Sequence, residues 1–437
     1  METRRSSGCP FRFDPAGRDI SGEAERFRAA GPAPLVVMPG DVLARVVVDL
    51  RVAVWLLKHP QMSKDPRQHW PAYMEGCIPR KRDLGKWVET QNAQTAFGPD
   101  HARLRRLIQP AFAPRIINAL QSKIEELTSR LLDDLETTAP GETVDLRARF
   151  TGLLPHLVAT ALLGVPAEMS EPFRDALNKA LFATSLPEGE KQAAGEELDR
   201  LLAELVKIKR AEIKRAEQGE GEDVTTALIQ ARDDQSNPEL RKLSEKELHG
   251  NILMLLVAAY ETTVNLITHA IAALLTHLDQ LALVRDGGAD WDDVVEETLR
   301  YQAPVANMLL RFPTEDLYHE ESGERFEKGV PVIMGYLGIN RDPHQHGETA
   351  DQFDITRPTR HKHLAFGTGV HNCPGARLAR MEARTALTAL FDRFPHLTLA
   401  TTPDQLHPLE SFISNGHQTL PVILQPLTGD NAVGERA

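Results

Sequence analysis

Apolar residues recur at helical spacing over most of the chain and alternate as in strands at only a few places. Side chains three or four residues apart share one face of a helix, and such stretches cover residues 52–57, 101–108, 116–135, 150–163, 196–216, 223–232, 245–277, 291–301 and 376–394. Two β-rich runs, 35–38 and 42–48, flank Pro39-Gly40-Asp41 and predict a hairpin. We expect a mainly α protein with small β-sheets, whose strands lie mainly towards the two ends.

The longest helical stretch has a recognisable beginning. Ser244 and Glu247 stand at capping-box spacing before it. A helix of about 30 residues is far longer than the usual mean of about 12. Because it is apolar on most sides, other helices must surround it. The pattern therefore predicts one domain over residues 11–426, with loose tails at 1–10 and 427–437.

Charge and cysteine content narrow the functional classes. The net charge of -12 argues against nucleic acid or an anionic membrane as a partner of the whole chain. Cys9, Cys77 and Cys373 are too few and too scattered for a secreted disulfide framework. No signal peptide is evident, and the apolar run at 252–259 ends before it could span a bilayer. We expect a cytoplasmic protein that does not enter a membrane.

The strongest chemical signal is the loop Phe366-Gly367-Thr368-Gly369-Val370-His371-Asn372-Cys373-Pro374-Gly375, placed before a helix that begins near Ala376. Its glycines permit a tight turn against which a flat cofactor could lie. The turn places Cys373 near the positive end of the next helix, which favours a thiolate. A thiolate is an electron-donating ligand for haem iron. A plain buried cysteine is the alternative, and a zinc site lacks a second ligand pair.

This loop resembles the haem-binding loop of the cytochrome P450 family. The family has the same residue types at the positions of Phe366, Gly367, His371, Cys373 and Gly375. The resemblance extends over about residues 14–424 and implies a single triangular-prism domain with a long central helix. It implies haem b as cofactor, with Cys373 as the iron ligand and the other four residues in contact with the haem. Pro374, where the family more often has Leu, lacks an N–H that could bond to the sulfur.

Two further motifs support the resemblance. Glu297 and Arg300 share a helix face and, with Arg357, resemble the family's buried Glu-Arg-Arg network, although such a pair is usually a solvated one. The family's positions for the haem propionates match His101, Arg105, Arg311 and His371. Two buried carboxylates need such cationic partners. The alternative for 101–106 is a basic surface helix.

The segment Ala258-Ala259-Tyr260-Glu261-Thr262-Thr263 resembles the family's oxygen-activation sequence. The resemblance implies that Thr262 and Glu261 deliver protons to iron-bound dioxygen, while Ala258 and Ala259 lie against the haem. Ala259 stands where the family usually has Gly. A kink produced by the threonine hydroxyl is an alternative role, compatible with the first.

Five arginines follow helical spacing on the helices that flank the cysteine loop. They are Arg103, Arg106, Arg377, Arg380 and Arg384. We expect them to form a basic patch that attracts an acidic ferredoxin, itself reduced through a reductase by NAD(P)H. A merely solvated helix face is the alternative. We expect a monomer.

Family position also suggests where the substrate binds. The candidate pocket residues are Gln68, Tyr73, Val88, Val305, Met308 and Ile413. They are mostly apolar, which predicts a hydrophobic substrate held by few hydrogen bonds. The sequence thus predicts hydroxylation, by O2 and two electrons, of a steroid-like compound or a secondary metabolite. The alternatives are oxidative C–C or C–O coupling of an aromatic or cyclic-peptide product, and a haem-binding sensor or scaffold without turnover.

Overall fold

The helices of the protein follow the predicted pattern closely. A computed structural model describes residues 10–77, 90–182, 186–215, 223–233 and 243–426. In these ranges the α-helices are α1 Ile20–Ala30, α2 Leu50–Lys58, α3 Pro66–His69, α4 Pro71–Met74, α5 Gly98–Ile108, α6 Pro114–Ala119, α7 Gln121–Glu136, α8 Leu154–Leu162, α9 Ala167–Leu177, α10 Glu188–Arg215, α11 Val224–Asp233, α12 Glu245–Thr276, α13 Leu278–Arg285, α14 Trp291–Tyr301, α15 Tyr336–Ile339, α16 Pro343–His346 and α17 Ala376–Arg393.

Three helices depart most clearly from the sequence prediction. The stretch 116–135 is two helices, because the Leu120 amide donates to the Ile117 carbonyl at 3.1 Å and this tighter turn ends α6. The helix predicted at 196–216 begins earlier, at Glu188. The stretch 150–163 opens with a π-helical turn, Arg147–Thr151, before α8. Such turns are rare in proteins, and those that occur are often found at functional sites.

Eleven strands form three sheets within the described residues. They are β1 Phe11–Arg12, β2 Leu35–Met38, β3 Val42–Val47, β4 Met62–Ser63, β5 Thr143–Asp145, β6 Asn307–Pro313, β7 Leu317–His319, β8 Glu324–Phe326, β9 Val332–Gly335, β10 Thr398–Leu399 and β11 Pro421–Ile423. The largest sheet has the order β1-β2-β3-β9-β6-β4. The predicted hairpin is confirmed, with Val37 opposite Leu43. Strands β6 and β9 correct the expectation that strands lie mainly at the ends: both are largely buried and lack the alternation by which strands are recognised.

The long helix α12, called the central helix below, lies inside the helical part of the molecule. The Ser244–Glu247 capping box forms as predicted. The central helix packs against α8, α14 and α17, and its apolar residues belong to a core cluster that extends from Ala93 to Leu424. Length and hydropathy alone would allow this helix to cross a membrane, but 67% of its most apolar window is buried within the protein. That burial is typical of a core helix.

Candidate functional site

The cysteine loop is held in shape by its glycines. Gly367 and Gly369 have φ of 65° and 75°, in the left-handed region that side chains rarely adopt. A Cβ on Gly369 would lie 2.3 Å from the carbonyl oxygen of Leu57, so only glycine allows the loop to approach α2 this closely. The Cys373 amide closes the loop by donating to the Phe366 carbonyl at 2.9 Å. The sequence therefore fixes where the sulfur sits.

The surroundings of the Cys373 sulfur act in two directions on its pKa. Removal from water raises the pKa of the thiol, while hydrogen bonds from the Gly375 and Ala376 amides and the charges of Arg105 and Arg380 lower it. Desolvation is the largest effect. The helix end alone therefore does not produce the predicted thiolate. A bound metal cation would do so, because a coordinating thiol is deprotonated.

Four predicted cofactor-binding side chains meet near this sulfur. The rings of His101 and His371 are 4.0 Å apart, and Arg105 donates to the Asn372 carbonyl at 2.8 Å. Arg311 is buried, and its Nη1 has no hydrogen-bond partner among the described residues. Burial lowers the pKa of His101 to about 4 and lowers that of His371 further, with Arg105 contributing to both. Both rings are neutral at pH 7.

A fifth basic side chain, Lys64, belongs to the same cluster and was missed in the sequence. It follows β4, is 5% exposed, and donates from Nζ to the Leu309 carbonyl at 3.3 Å. Burial and the charge of Arg311 lower the pKa of its ammonium group. Met62-Ser63-Lys64-Asp65-Pro66 reads as an ordinary charged turn, so nothing local in the sequence marks Lys64 as buried.

These residues fit a haem. We call Lys64, His101, Arg105, Arg311 and His371 the basic cluster. Within the ranges that the structure describes, no carboxylate forms an ion pair with Lys64, Arg105 or Arg311. An unpaired buried cation is costly. A cofactor with two carboxylates would neutralise these groups, and the neighbouring sulfur would supply its metal ligand.

The Glu-Arg-Arg network is assembled and buried. Arg300 forms a bidentate pair with Glu297, with both N–O distances 2.7 Å and both side chains 0% exposed. Arg357 approaches the same carboxylate, with Nε 3.5 Å from Oε1. The arginines also donate to the backbone carbonyls of residues 340, 346, 349, 350 and 352. The network ties three chain segments together and leaves its charges paired.

The predicted oxygen-activation segment is a partly exposed stretch of the otherwise buried central helix. Ala258 is exposed, and Ala259 and Thr262 are partly so, on a helix that is otherwise mostly buried. The Thr262 hydroxyl donates to the Ala258 carbonyl at 2.7 Å. An alanine-lined face with one hydroxyl allows a flat group to lie against the helix.

Glu261 is bonded to Arg147 rather than to Thr262. Its Oε1 is 3.1 Å from Arg147 Nη2. Burial raises the pKa of Glu261 and Arg147 opposes that rise. Both residues line a cavity of about 1290 Å³, together with Tyr260, Val264 and the segment Leu409–Ser414. The acid therefore borders a space that water can fill. Arg147 is a second residue that sequence reasoning missed, because it is 114 positions away in the chain.

The predicted substrate-pocket residues do not all come together. Tyr73 and Ile413 pack against one apolar cluster, whereas Val305 and Met308 pack against another. Gln68 is occupied locally, donating to Asp65 Oδ2 at 2.9 Å. Val305 pairs with Ser414, the residue after Ile413, which places the two clusters side by side. Val88 lies outside the described residues.

Three members of the predicted basic patch are paired with acids. Arg103 bonds to Glu247, Arg380 to Glu296, and Arg384 to Asp292 at 3.3 Å. Arg377 donates instead to the Asn118 amide oxygen at 2.7 Å. Arg106 is exposed. The excess positive charge of the patch is therefore concentrated on Arg106 and Arg377.

Comparisons with known proteins agree in their outcome. The family model described as Cytochrome P450 matches residues 51–286 and 291–419. The 2-hydroxy-5-methyl-1-naphthoate 7-hydroxylase of Streptomyces carzinostaticus is 39% identical over 417 residues, which are 95% of this chain and 98% of the hydroxylase. The solved CYP154A1 of Streptomyces coelicolor A3(2) superposes with a TM-score of 0.85 at 42% identity, covering 95% and 100% of the two chains. CYP154C4 of Streptomyces sp. W2061 gives 0.87 at 35%, covering 96% and 98%.

Proposed function

The chain belongs to the cytochrome P450 family, and from this premise we propose that it hydroxylates a mostly apolar secondary metabolite or a steroid-like compound with O2 and two electrons. Its family makes it an oxidoreductase of the monooxygenase type with a haem cofactor. The observation that supports this chain's own site is the basic cluster beside Cys373, in which cations and imidazoles gather without a carboxylate partner among the described residues. We also propose that residues 11–426 form one domain.

We assign the cofactor contacts as follows. Cys373 would hold the iron through its sulfur, and the basic cluster would bind the two propionates. Phe366, Gly367, Gly375, Ala258 and Ala259 would contact the haem. When bound, the haem supplies the redox chemistry that activates oxygen. The protein contributes the sulfur, the counter-charges and the shape of the site.

Glu261 and Thr262 are assigned to proton delivery. The Thr262 hydroxyl donates its one hydrogen to the Ala258 carbonyl and is held at the open face of the central helix, where its oxygen can accept a hydrogen bond. Glu261 borders the large cavity, from which its carboxylate can take up protons. If the Glu261 carboxylate separated from Arg147, it could carry protons from that cavity to the face of the central helix on which Thr262 lies. The Glu297 network has a structural role: it holds the surrounding chain segments together and takes no part in the reaction.

The substrate is assigned to the two apolar clusters joined at Val305 and Ser414. Tyr73, Met308 and Ile413 supply apolar contact there, and we retain Gln68 and Val88 as contributors from the first loop. Mainly apolar walls favour a hydrophobic ring system. The naphthoate hydroxylase relative makes fused-ring aromatic compounds the first class to test, with steroids next.

Electrons would come from NAD(P)H through a reductase and a ferredoxin that docks near the cysteine loop. Arg106 and Arg377 are the main charges of this surface, because Arg103, Arg380 and Arg384 are already paired with acids. We further propose that the protein acts in the cytoplasm as a monomer.

Incubation with ¹⁸O2, a surrogate ferredoxin and its reductase tests the reaction. Hydroxylation predicts one labelled oxygen atom in the product of a fused-ring or steroid substrate that shifts the haem spectrum on binding. Loss of hydrogens without label would instead indicate oxidative coupling. Binding without O2 consumption would contradict the proposed function.

A further inference from the structure

A row of polar side chains extends from the proposed proton-delivery acid along the central helix. Glu261, Asn265 and His269 are spaced four residues apart, which aligns them on one helix face. All three are buried. Buried polar groups destabilise a protein unless they find partners. The partners on this face come from two other parts of the chain.

The first partner is Arg147, at the start of the π-helical turn. Its Nη2 is 3.1 Å from Glu261 Oε1, and its Nη1 is 3.0 Å from Asn265 Oδ1. One guanidinium therefore spans two successive turns of the central helix. Because the guanidinium is a rigid planar fork, moving Asn265 would change how Arg147 faces Glu261.

The second partner is the chain segment 406–418, closed by pairing of Pro408 with His417. The His269 ring lies beside the Asn415 backbone, and the His269 and His417 rings are 4.8 Å apart. A Cβ on Gly416 would lie 2.2 Å from Asn265 Oδ1. The segment thus packs directly on the amide that holds Arg147, with no space for a side chain at Gly416.

The same segment reaches the proposed substrate pocket. The Ala306 amide donates to the Ile413 carbonyl at 2.8 Å, and Asn307 Nδ2 donates to the Phe412 carbonyl at 2.7 Å. Ile413 and Asn265 are therefore separated by only three residues of the segment and one van der Waals contact.

We propose that segment 406–418 positions the proton-delivery acid, because Gly416 and His269 fix Asn265, Asn265 fixes Arg147, and Arg147 holds Glu261. Asn265, His269 and Gly416 are positioning residues. The arrangement couples the substrate end of the segment to the acid, so that proton delivery depends on how the segment is seated. This inference rests on the role proposed above for Glu261.

A double-mutant cycle tests the contact at the centre of this chain. Gly416→Ala adds one methyl group that must displace the Asn265 amide, since the φ of Gly416 lies outside the left-handed region and the backbone itself accepts alanine. We expect a lower thermal midpoint and a severalfold larger share of electrons lost to hydrogen peroxide. Asn265→Ala removes the obstructing amide. In that background the added methyl should cause a much smaller further loss of both properties, because coupled residues are non-additive and the remaining obstruction is Leu409 Cδ1, the end of a flexible side chain 2.9 Å from the methyl group.

Gly195→Ala is the matched control, since no atom beyond the neighbouring backbone of α10 lies within 4 Å of its added methyl group. It should leave the share of electrons lost to hydrogen peroxide unchanged and raise the thermal midpoint slightly, because alanine is a better helix former than glycine. Additive effects of G416A and N265A would overturn the proposal. Should G416A fail to fold, recovery of folding in N265A/G416A supports it and failure to recover overturns it. Glu261→Gln distinguishes the proposed role of Glu261 from the packing of segment 406–418. If E261Q loses no more electrons to hydrogen peroxide than the original protein, Glu261 does not deliver protons. The thermal midpoints of the double-mutant cycle still test the contact between Gly416 and Asn265.

Discussion

Two clusters of largely buried charge lie in this molecule, and they are balanced in different ways. The Glu297 network contains its own carboxylate, which pairs with Arg300 at 2.7 Å while both arginines bond to backbone carbonyls. The basic cluster contains Lys64, Arg105 and Arg311 without an acid partner in the described part of the chain. The first cluster is complete as folded, whereas the second has the composition of a site for an anionic ligand. Removing a charge should therefore have opposite consequences in the two places.

The largest effect is expected in the Glu297 network. Glu297→Gln leaves Arg300 buried without its carboxylate, which costs about 3–5 kcal/mol in the free energy of unfolding. The loss should be similar with and without haem, because the network does not touch the cofactor site. Denaturant unfolding of both forms measures it. A loss confined to the haem-loaded form would mean that the network is part of the cofactor site.

A smaller effect of opposite sign is expected in the basic cluster. Lys64→Met removes an unpaired buried ammonium group, so the haem-free protein should gain about 1–3 kcal/mol. The loaded protein should lose haem to apomyoglobin faster, because one counter-charge to the propionates is gone.

Lys209→Met is the matched control, since Lys209 is also buried but pairs with Glu212 and Asp223 at 3.0 and 3.1 Å. It should destabilise the protein and leave haem loss unchanged. A K64M variant that behaves like K209M would show that Lys64 serves the fold alone.

The smallest effect per step of the measurement is a pH dependence carried by His101. Burial lowers its pKa to about 4 in the folded haem-free protein. The unfolded chain binds a proton near pH 6.5 and the folded one does not, so stability falls as the pH drops from 6.5 towards 4, by at most about 1.4 kcal/mol per pH unit.

Urea unfolding at pH 7, 6 and 5 should therefore show a shallower pH dependence for His101→Gln than for the original protein. Haem carboxylates would raise the pKa of His101. In the haem-loaded form the two proteins should therefore differ less in the pH dependence of their stability. Equal slopes for both haem-free proteins would place His101 outside the cluster.

The contrast between the two clusters also shows what the sequence could predict. Cys373, the capped central helix and the Glu297-x-x-Arg300 pair follow from local patterns, because neighbours in the chain determine turns, caps and helix faces. Lys64 and Arg147 could not be found in this way. Their meaning depends on Arg311 and Glu261, which are distant in sequence, and each looks locally like an ordinary charged turn residue. Strands β6 and β9 were missed because burial on both faces removes alternation.

The central claim is that the Cys373 sulfur binds haem iron as a thiolate. The most direct measurement is the absorption spectrum of the reduced carbon monoxide complex, recorded for the original protein and for Cys373→Ala. The original protein should show the long-wavelength Soret band of a thiolate-ligated haem, and C373A should lose it. A C373A variant that retains this band, or an original protein that takes up no haem when it is amply supplied, would contradict the account.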